Sequence, residues 1–218
     1  MKQKILILVC TAVVFVGCAS ESSRVVEVPK VEISKVAYQG QKISVSIGRF
    51  NNQSSYQNGI FSDGEDRLGN QAQTILATSL QQSGRFDVLD RTNLKAMAQE
   101  SGFSKTTQDI KGARYIITGD VVEFGRKTVG DHQLFGILGR GKTQIAYSKV
   151  NLNIVDVKTS QIVYSTQGAG EYSLSNREVI GFGGTAGYDA TLNGRVLSLS
   201  INEAVNNLAL GLDNKEWK

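Results

Sequence analysis

The spacing most suggestive of chemistry is Gly136-Ile137-Leu138-Gly139-Arg140-Gly141-Lys142-Thr143, which satisfies the phosphate-loop pattern G-x-x-x-x-G-K-[ST]. In such a loop backbone N–H groups cradle phosphates and the Lys reaches the terminal ones, while an acidic residue such as Asp156, closing LNIVD, would hold Mg²⁺. That chemistry needs a buried strand before the loop and a helix after it, so that amides and the helix N-terminus converge on one anion. Here residues 129–135 are polar and Gly-containing, and only the strand-like TQIAYSK separates Lys142 from the next strand. The segment reads as a basic hairpin tip, and no nucleotide partner is expected. His132 is the single His and stands beside Asp131 without a Cys or second His near it, so neither a metal nor another cofactor is expected. No Ser-His-Asp set, Cys-His pair or buried carboxylate pair can be assembled, and the sequence predicts a protein that is not an enzyme.

Cys18 is the residue whose chemistry the sequence supports. A basic start (Lys2, Lys4) leads into the apolar run ILILVCTAVVFVG, which is too short to span a bilayer and reads as an export signal over residues 1–17. The run ends in Phe15-Val16-Gly17-Cys18, which resembles a bacterial lipobox: a small residue before a Cys that is diacylated on sulfur, palmitate being typical, and becomes the new N-terminus. Several acyl chains hold a protein firmly on a membrane where one does not. Ala19 rather than Asp follows, and resemblance to enteric lipoproteins implies sorting to the outer membrane, with the domain facing the periplasm. Cys10 lies within the apolar run and leaves with it, so the mature chain has no disulfide.

The chain has 218 residues, 40 % of them hydrophobic, which suits one globular domain. Its net charge of +4 falls to about +2 once Lys2 and Lys4 are removed, too little to suggest nucleic acid as a partner. Residues 18–41 read as a lipidated polar tether. From residue 42 to 218 the elements alternate. KISVSIGRF is a first strand, and a helix from about Asp66 to Ser83 carries Leu68, Ala72, Ile75, Leu76 and Leu80 before Gly84. RFDVLDR is a short strand, and a second helix is capped by Thr92, carries Leu94, Met97 and Ala98, and stops at Gly102. RYIITGDVVEF, YSKVNLNIVDV and QIVYSTQGAGEY alternate with period 2, the last two joined by a turn at Lys158-Thr159-Ser160. A final helix over 195–212 places Leu197, Ile201, Ala204, Val205, Leu208 and Leu212 on one stripe. The fold class is α/β of the α+β kind, a mixed sheet with helices packed on it. Two long hairpin-like inserts, at about 125–146 and 170–195, have no role in that core, and compact domains rarely carry such excursions idly.

The segments RFDVLDR, YIITGDVVEF, KVNLNIVDVKTSQIVYS and GYDATLNGRVLSLSINEAVNNL, in this order over residues 42–212, resemble the curli secretion channel family, the CsgG-type outer-membrane lipoproteins. The resemblance implies a ring of identical subunits serving secretion or assembly of cell-surface protein. Each subunit would give two hairpins to a shared barrel, and the two inserts occupy those positions. It also implies a pore constriction in the loop after the first strand: Tyr56 and Phe61 match in type and spacing, and Ile60 stands where Asn is expected. The partners implied are a membrane, other copies of the chain, and a secreted or envelope protein.

The inserts also support a second reading. A lipid-facing strand needs about 9–11 residues with one apolar face. In the first insert Phe124, Arg126 and Thr128 share one face and Lys127, Val129 and Asp131 the other; in the second, Asn176 and Glu178 interrupt the face of Tyr172, Leu174, Ile180 and Phe182. The alternative is therefore a periplasmic scaffold lipoprotein of the same fold, without a pore, that binds envelope or appendage proteins.

Overall fold

The computed structural model describes residues 30–56, 64–132, 140–178 and 191–217. The leader, Cys18, Ile60 and Phe61 lie outside these residues.

The described elements are β1 (Ile43–Asn52), α1 (Arg67–Ser83), β2 (Phe86–Leu89), α2 (Leu94–Ser104), β3 (Tyr115–His132), β4 (Arg140–Asp156), β5 (Ile162–Glu178) and α3 (Thr191–Asp213). They build a mixed five-stranded sheet in the order β2-β1-β3-β4-β5, with β1 parallel to β2 and β3 and the two later pairs antiparallel. The α+β class expected from the sequence is thus the observed one. Parallel pairing of β1 with β2 requires a crossover, which α1 supplies; β3, β4 and β5 follow as a meander.

The helical stripes read from the sequence form the core. Leu68, Ala72, Leu76 and Leu80 of α1 and Val196, Leu197, Ile201, Ala204, Val205, Leu208 and Leu212 of α3 are buried against Val45, Ile117, Val121, Val150, Leu152 and Ile154 of the sheet. Each fully buried Leu or Ile contributes about 1.5–3 kcal/mol. Ser79 of α1 donates to Asn202 Oδ1 at 2.7 Å, and Ser200 of α3 donates to Ser148 of β4 at 3.0 Å, so the buried hydroxyls are satisfied where helix meets helix and helix meets sheet. Asp66 caps α1, accepting from Gly69 N and, at 2.7 Å, from Asn52 N, which ties the end of β1 to the helix start. The turn at 157–161 is held by Asp156, whose Oδ1 accepts from the backbone of Lys158 and Thr159; those bonds keep its carboxyl below the usual range. Trp217 closes the lower end of the sheet, stacked on Phe86 and Tyr164 and edge-on to Tyr115.

Several expectations need correction. The first insert is hairpin-like as expected, but it is not separate from the core strands: β3 and β4 continue through it in unbroken antiparallel register from Glu123↔Lys149 to His132↔Arg140. The second is a continuation of β5 along β4 to Glu178. Strict alternation in β3 fails at a bulge between Val121 and Glu123, which brings Val121 and Phe124 to the same buried face. The last helix begins at Thr191, not Arg195. Thr92 is not a cap; Asp90 accepts from the backbone N–H of Thr92 and Asn93. α2 runs through Gly102 to Ser104, ending where Lys105 takes the left-handed conformation, and it has no buried residue at all. Part of the tether is folded: Val31 is fully buried and Ile33 nearly so, in a short 3₁₀ turn (Glu32–Lys35), with Ile33 N donating to Asn206 of α3 at 3.1 Å.

That strap is fastened by Arg85, one of the most buried side chains in the protein. Its Nη1 donates to the carbonyls of Ile33, Val36 and Ser83, its Nη2 bonds Asp213 at 2.9 Å, and its guanidinium lies 5.1 Å from the Tyr38 ring centre. A buried cation is tolerable only when paired and fully hydrogen-bonded, and here three carbonyls and a carboxylate meet that demand.

Candidate functional site: a three-stranded arm and its root

Beyond Val121, β3 loses β1 as a neighbour, because the last β1–β3 pair is Asn52↔Val121. Residues 123–132 of β3, 140–149 of β4 and 168–178 of β5 therefore leave the body as a three-stranded arm. Ten residues at roughly 3.3 Å each give a projection of about 30 Å. Among the described residues nothing pairs with the outer edge of β3 over 123–132 or with that of β5 along the arm.

The arm has one face that continues the core at its root and one that does not. Phe124, Ala146 and Ser148 are buried, with Arg126 and Tyr172 half-buried beside them. The other face carries Glu123, Lys127, Val129, Tyr147, Ala169, Glu171 and Ser173, all exposed, with Ile145 and Lys149 half-buried among them. Glu123 and Lys149, opposed across the strands, sit at 3.7 Å. The length of the arm matches a bilayer's hydrocarbon core, but a Lys or Arg on a lipid face at mid-depth costs about 2–4 kcal/mol. Glu123, Lys127 and Lys149 put charge on the outer face, and on the other face the half-buried Arg126 is turned to α3 at the root.

The root is fixed by the first turns of α3. Asn193 accepts from Arg126 Nε at 2.8 Å and donates to the Tyr56 hydroxyl at 2.9 Å. The Tyr56 ring packs on Phe124 with 4.7 Å between centres. Arg195 donates to the Tyr172 hydroxyl at 2.8 Å and lies 5.3 Å from its ring centre, a cation over the π face. Both outer strands of the arm are thereby tied to α3. Close approach of α3 to β5 depends on glycine: a Cβ on Gly168 would run into Ser200 O and Ala204 N, and one on Gly170 would meet Leu199 and Ser200.

Of the residues singled out for a constriction, Tyr56 alone is described; it is half-buried against Phe124, while Ile60 and Phe61 fall outside the described residues. Lys142 and Thr143 lie within β4, paired with Gly130 and Val129, so a strand stands where a phosphate loop would need a helix. Among the described residues there is no cluster of His, Cys, Asp and Glu suited to a metal, and no described helix is long and apolar enough to cross a membrane. Asn193, Arg195 and Arg85 were missed by sequence reasoning, because a single polar residue in a helix turn carries no periodic signal.

A mixed sheet with two helices on one face, a docked N-terminal strap and a projecting antiparallel arm defines an α+β protein. The family model described as "Curli production assembly/transport component CsgG" matches residues 30–218, and the chain belongs to that family. It is 65 % identical over 212 residues, 97 % of this chain and 95 % of the relative, to "Putative lipoprotein NMB1126/NMB1164" of Neisseria meningitidis serogroup B. Similar solved structures include a PelC dodecamer from Paraburkholderia phytofirmans, 15 % identical with TM-score 0.37 over 83 % of this chain and 93 % of that one. Another is the lipoprotein GNA1162 from Neisseria meningitidis, 11 % identical with TM-score 0.34 over 79 % and 99 %.

Proposed function

We propose that the protein is a lipid-anchored, non-enzymatic component of the outer membrane, its domain in the periplasm, that forms a homo-oligomeric ring serving the secretion or assembly of cell-surface protein. Membership of the CsgG family and the lipoprotein relative support the class. The observation that carries the assembly is the arm, whose outer β3 and β5 edges have no partner strand among the described residues. An exposed row of backbone N–H and C=O groups is a template for another strand. The β3 edge and the β5 edge lie on opposite sides, so pairing one with the other is head-to-tail, and head-to-tail contacts form rings when their rotation closes.

A second reading has its own support. Charge on the outer face of the arm, at Glu123, Lys127 and Lys149, favours a ring or scaffold that stands in the periplasm and binds envelope or appendage proteins without piercing the bilayer. In the channel reading Tyr56, Ile60 and Phe61 narrow the axis, and Tyr56 would have to leave its seat on Phe124 to do so.

The test is electron microscopy of the purified, acylated full chain, followed by single-channel recording in lipid bilayers of wild type and the double variant Tyr56→Ala, Phe61→Ala. Rings are expected; a chain that stays monomeric at all concentrations overturns the proposal. Discrete conductance that rises in the variant supports the channel, and rings without conductance support the scaffold.

A further inference from the structure

The lower end of the sheet holds a cleft of about 560 Å³ between the docked strap and the end of α3. Ile43 and Leu212, both buried, give it an apolar floor, and the Tyr38 ring forms one wall. That wall is held from two sides. The Arg85 guanidinium lies 5.1 Å from the ring centre, and the strap folds back so closely at Gly40 that a Cβ there would run into the ring. A volume of this size suits a small molecule or a single headgroup.

The charge around the cleft is one-sided. Lys42, Arg114 and Lys215 line it, and among the described residues none of these three side chains has a hydrogen bond or a carboxylate in ion-pair range. Arg114 rests 5.1 Å from the Tyr115 ring centre, which steadies the guanidinium without using an N–H donor. Among the described lining residues Asp213 alone is acidic, and Arg85 already holds it at 2.9 Å. The carboxylates nearby are engaged as well: Asp87 by Lys111, Asp156 by the backbone of Lys158 and Thr159, and Glu216 by Tyr164 and Asn214. Lys215 stands in the left-handed conformation, φ 63°, just past α3, with its N–H on Leu212 O and the next N–H on Gly211 O. Glycine is favoured at that place, so a cation there carries a backbone cost that glycine would avoid.

We propose that this cleft binds a phosphate monoester, either a soluble one or the headgroup of a phosphatidate-type lipid. A monoester brings nearly two charges and three acceptor oxygens, which three unpaired cations can share, whereas a carboxylate has one charge and two oxygens. The Tyr38 and Ser44 side chains, which also line the cleft, add hydroxyls for the remaining contacts. Because the strap is one wall, occupancy fastens residues 38–42 to the end of α3. The site is independent of the ring, since one copy of the chain carries all of it.

The experiment uses the acylated full chain in phosphatidylcholine nanodiscs and reads amide exchange in residues 38–44. One arm adds glycerol 3-phosphate; the other replaces part of the lipid with phosphatidate. Saturable slowing in the first arm, with a dissociation constant below about 1 mM, assigns a soluble phosphate. Slowing in the second arm alone assigns a headgroup, and either result supports the cleft. No slowing in either arm overturns it, as does equal slowing by acetate at the same concentration. Lys42→Gln and Arg114→Gln are each expected to weaken binding about fivefold, the effect of losing an exposed ion pair. Lys215→Gly is expected to weaken it as much while raising the melting temperature, because glycine takes the left-handed backbone at no steric cost. Binding untouched by all three substitutions would put the phosphate elsewhere and reject the site.

Discussion

Asn193, in the first turn of α3, accepts a hydrogen bond from Arg126 Nε of the arm at 2.8 Å. The same amide donates to Tyr56, so one side chain joins the β1–α1 loop, the arm and the last helix. A hydrogen bond to a charged group contributes about 1.5–3 kcal/mol. Asn193→Ala is expected to destabilise the protein by about that much. It should also speed amide exchange in residues 123–132 while leaving β1 protected, because Asn193 holds the β3 strand of the arm to α3 at its root. Hydrogen-exchange mass spectrometry separates the two effects, and uniform loss of protection would show that Asn193 supports the whole fold instead.

The close packing of α3 on β5 gives a second test. A methyl group at Gly168 would meet the backbone of Ser200 and Ala204, and helix backbone cannot step aside as a flexible side chain can. Gly168→Val is expected to cost about 3 kcal/mol, the upper part of the range for overpacking. Gly194→Ala is the control, because its nearest neighbour is the end of a flexible Gln71 side chain at 3.4 Å. Urea denaturation of the two variants measures the difference.

Where the sequence was legible and where it was not follows from what each segment packs against. α1 and α3 were readable because Leu76, Leu80, Leu197 and Leu208 recur on one side of helices that lie on a sheet. The arm was read as hairpin-like inserts set apart from the core strands, because neither of its faces is core over most of its length and Arg126-Lys127-Thr128 shows none of the alternation that burial imposes. The opposite error occurred in α2, where Leu94, Met97 and Ala98 looked like a buried stripe but no residue is buried. Val31 and Ile33 were too few to register as an element, and Arg85 reads as surface in any composition-based argument. Its burial follows only once the strap, Ser83 and Asp213 come together, which local sequence does not encode.

Arg85 supplies a third prediction. Arg85→Met leaves three carbonyls and a carboxylate without their donor, although Asp213, with its side chain 29 % exposed, recovers some hydration. Removing one partner of a buried pair costs about 3–5 kcal/mol, and the lower end applies to this half-open one. Limited proteolysis should cut residues 31–41 in the variant well before the body, whereas wild type resists there. Equal rates of cleavage would mean that the buried Val31 and Ile33, not Arg85, hold the strap.

The strap bears on how the protein meets its membrane. Acylated Cys18 is proposed as the anchor, and Val31, thirteen residues later, is fully buried in the body. A chain spans at most about 3.5 Å per residue, so the body stands within about 45 Å of the membrane surface. Cys18→Ser removes the acyl chains while leaving every described contact in place. It is expected to move the protein from the outer-membrane fraction to the soluble envelope fraction with an unchanged melting temperature; if the protein stays with the membrane as before, the anchor lies elsewhere. Arg85→Met with Cys18 intact should keep the protein on the membrane but lengthen the free tether to about Lys42, nearly doubling its reach. Fluorescence quenching between a labelled body and the bilayer distinguishes that outcome from release. The two variants together assign retention to the acyl group and standoff distance to the buried guanidinium.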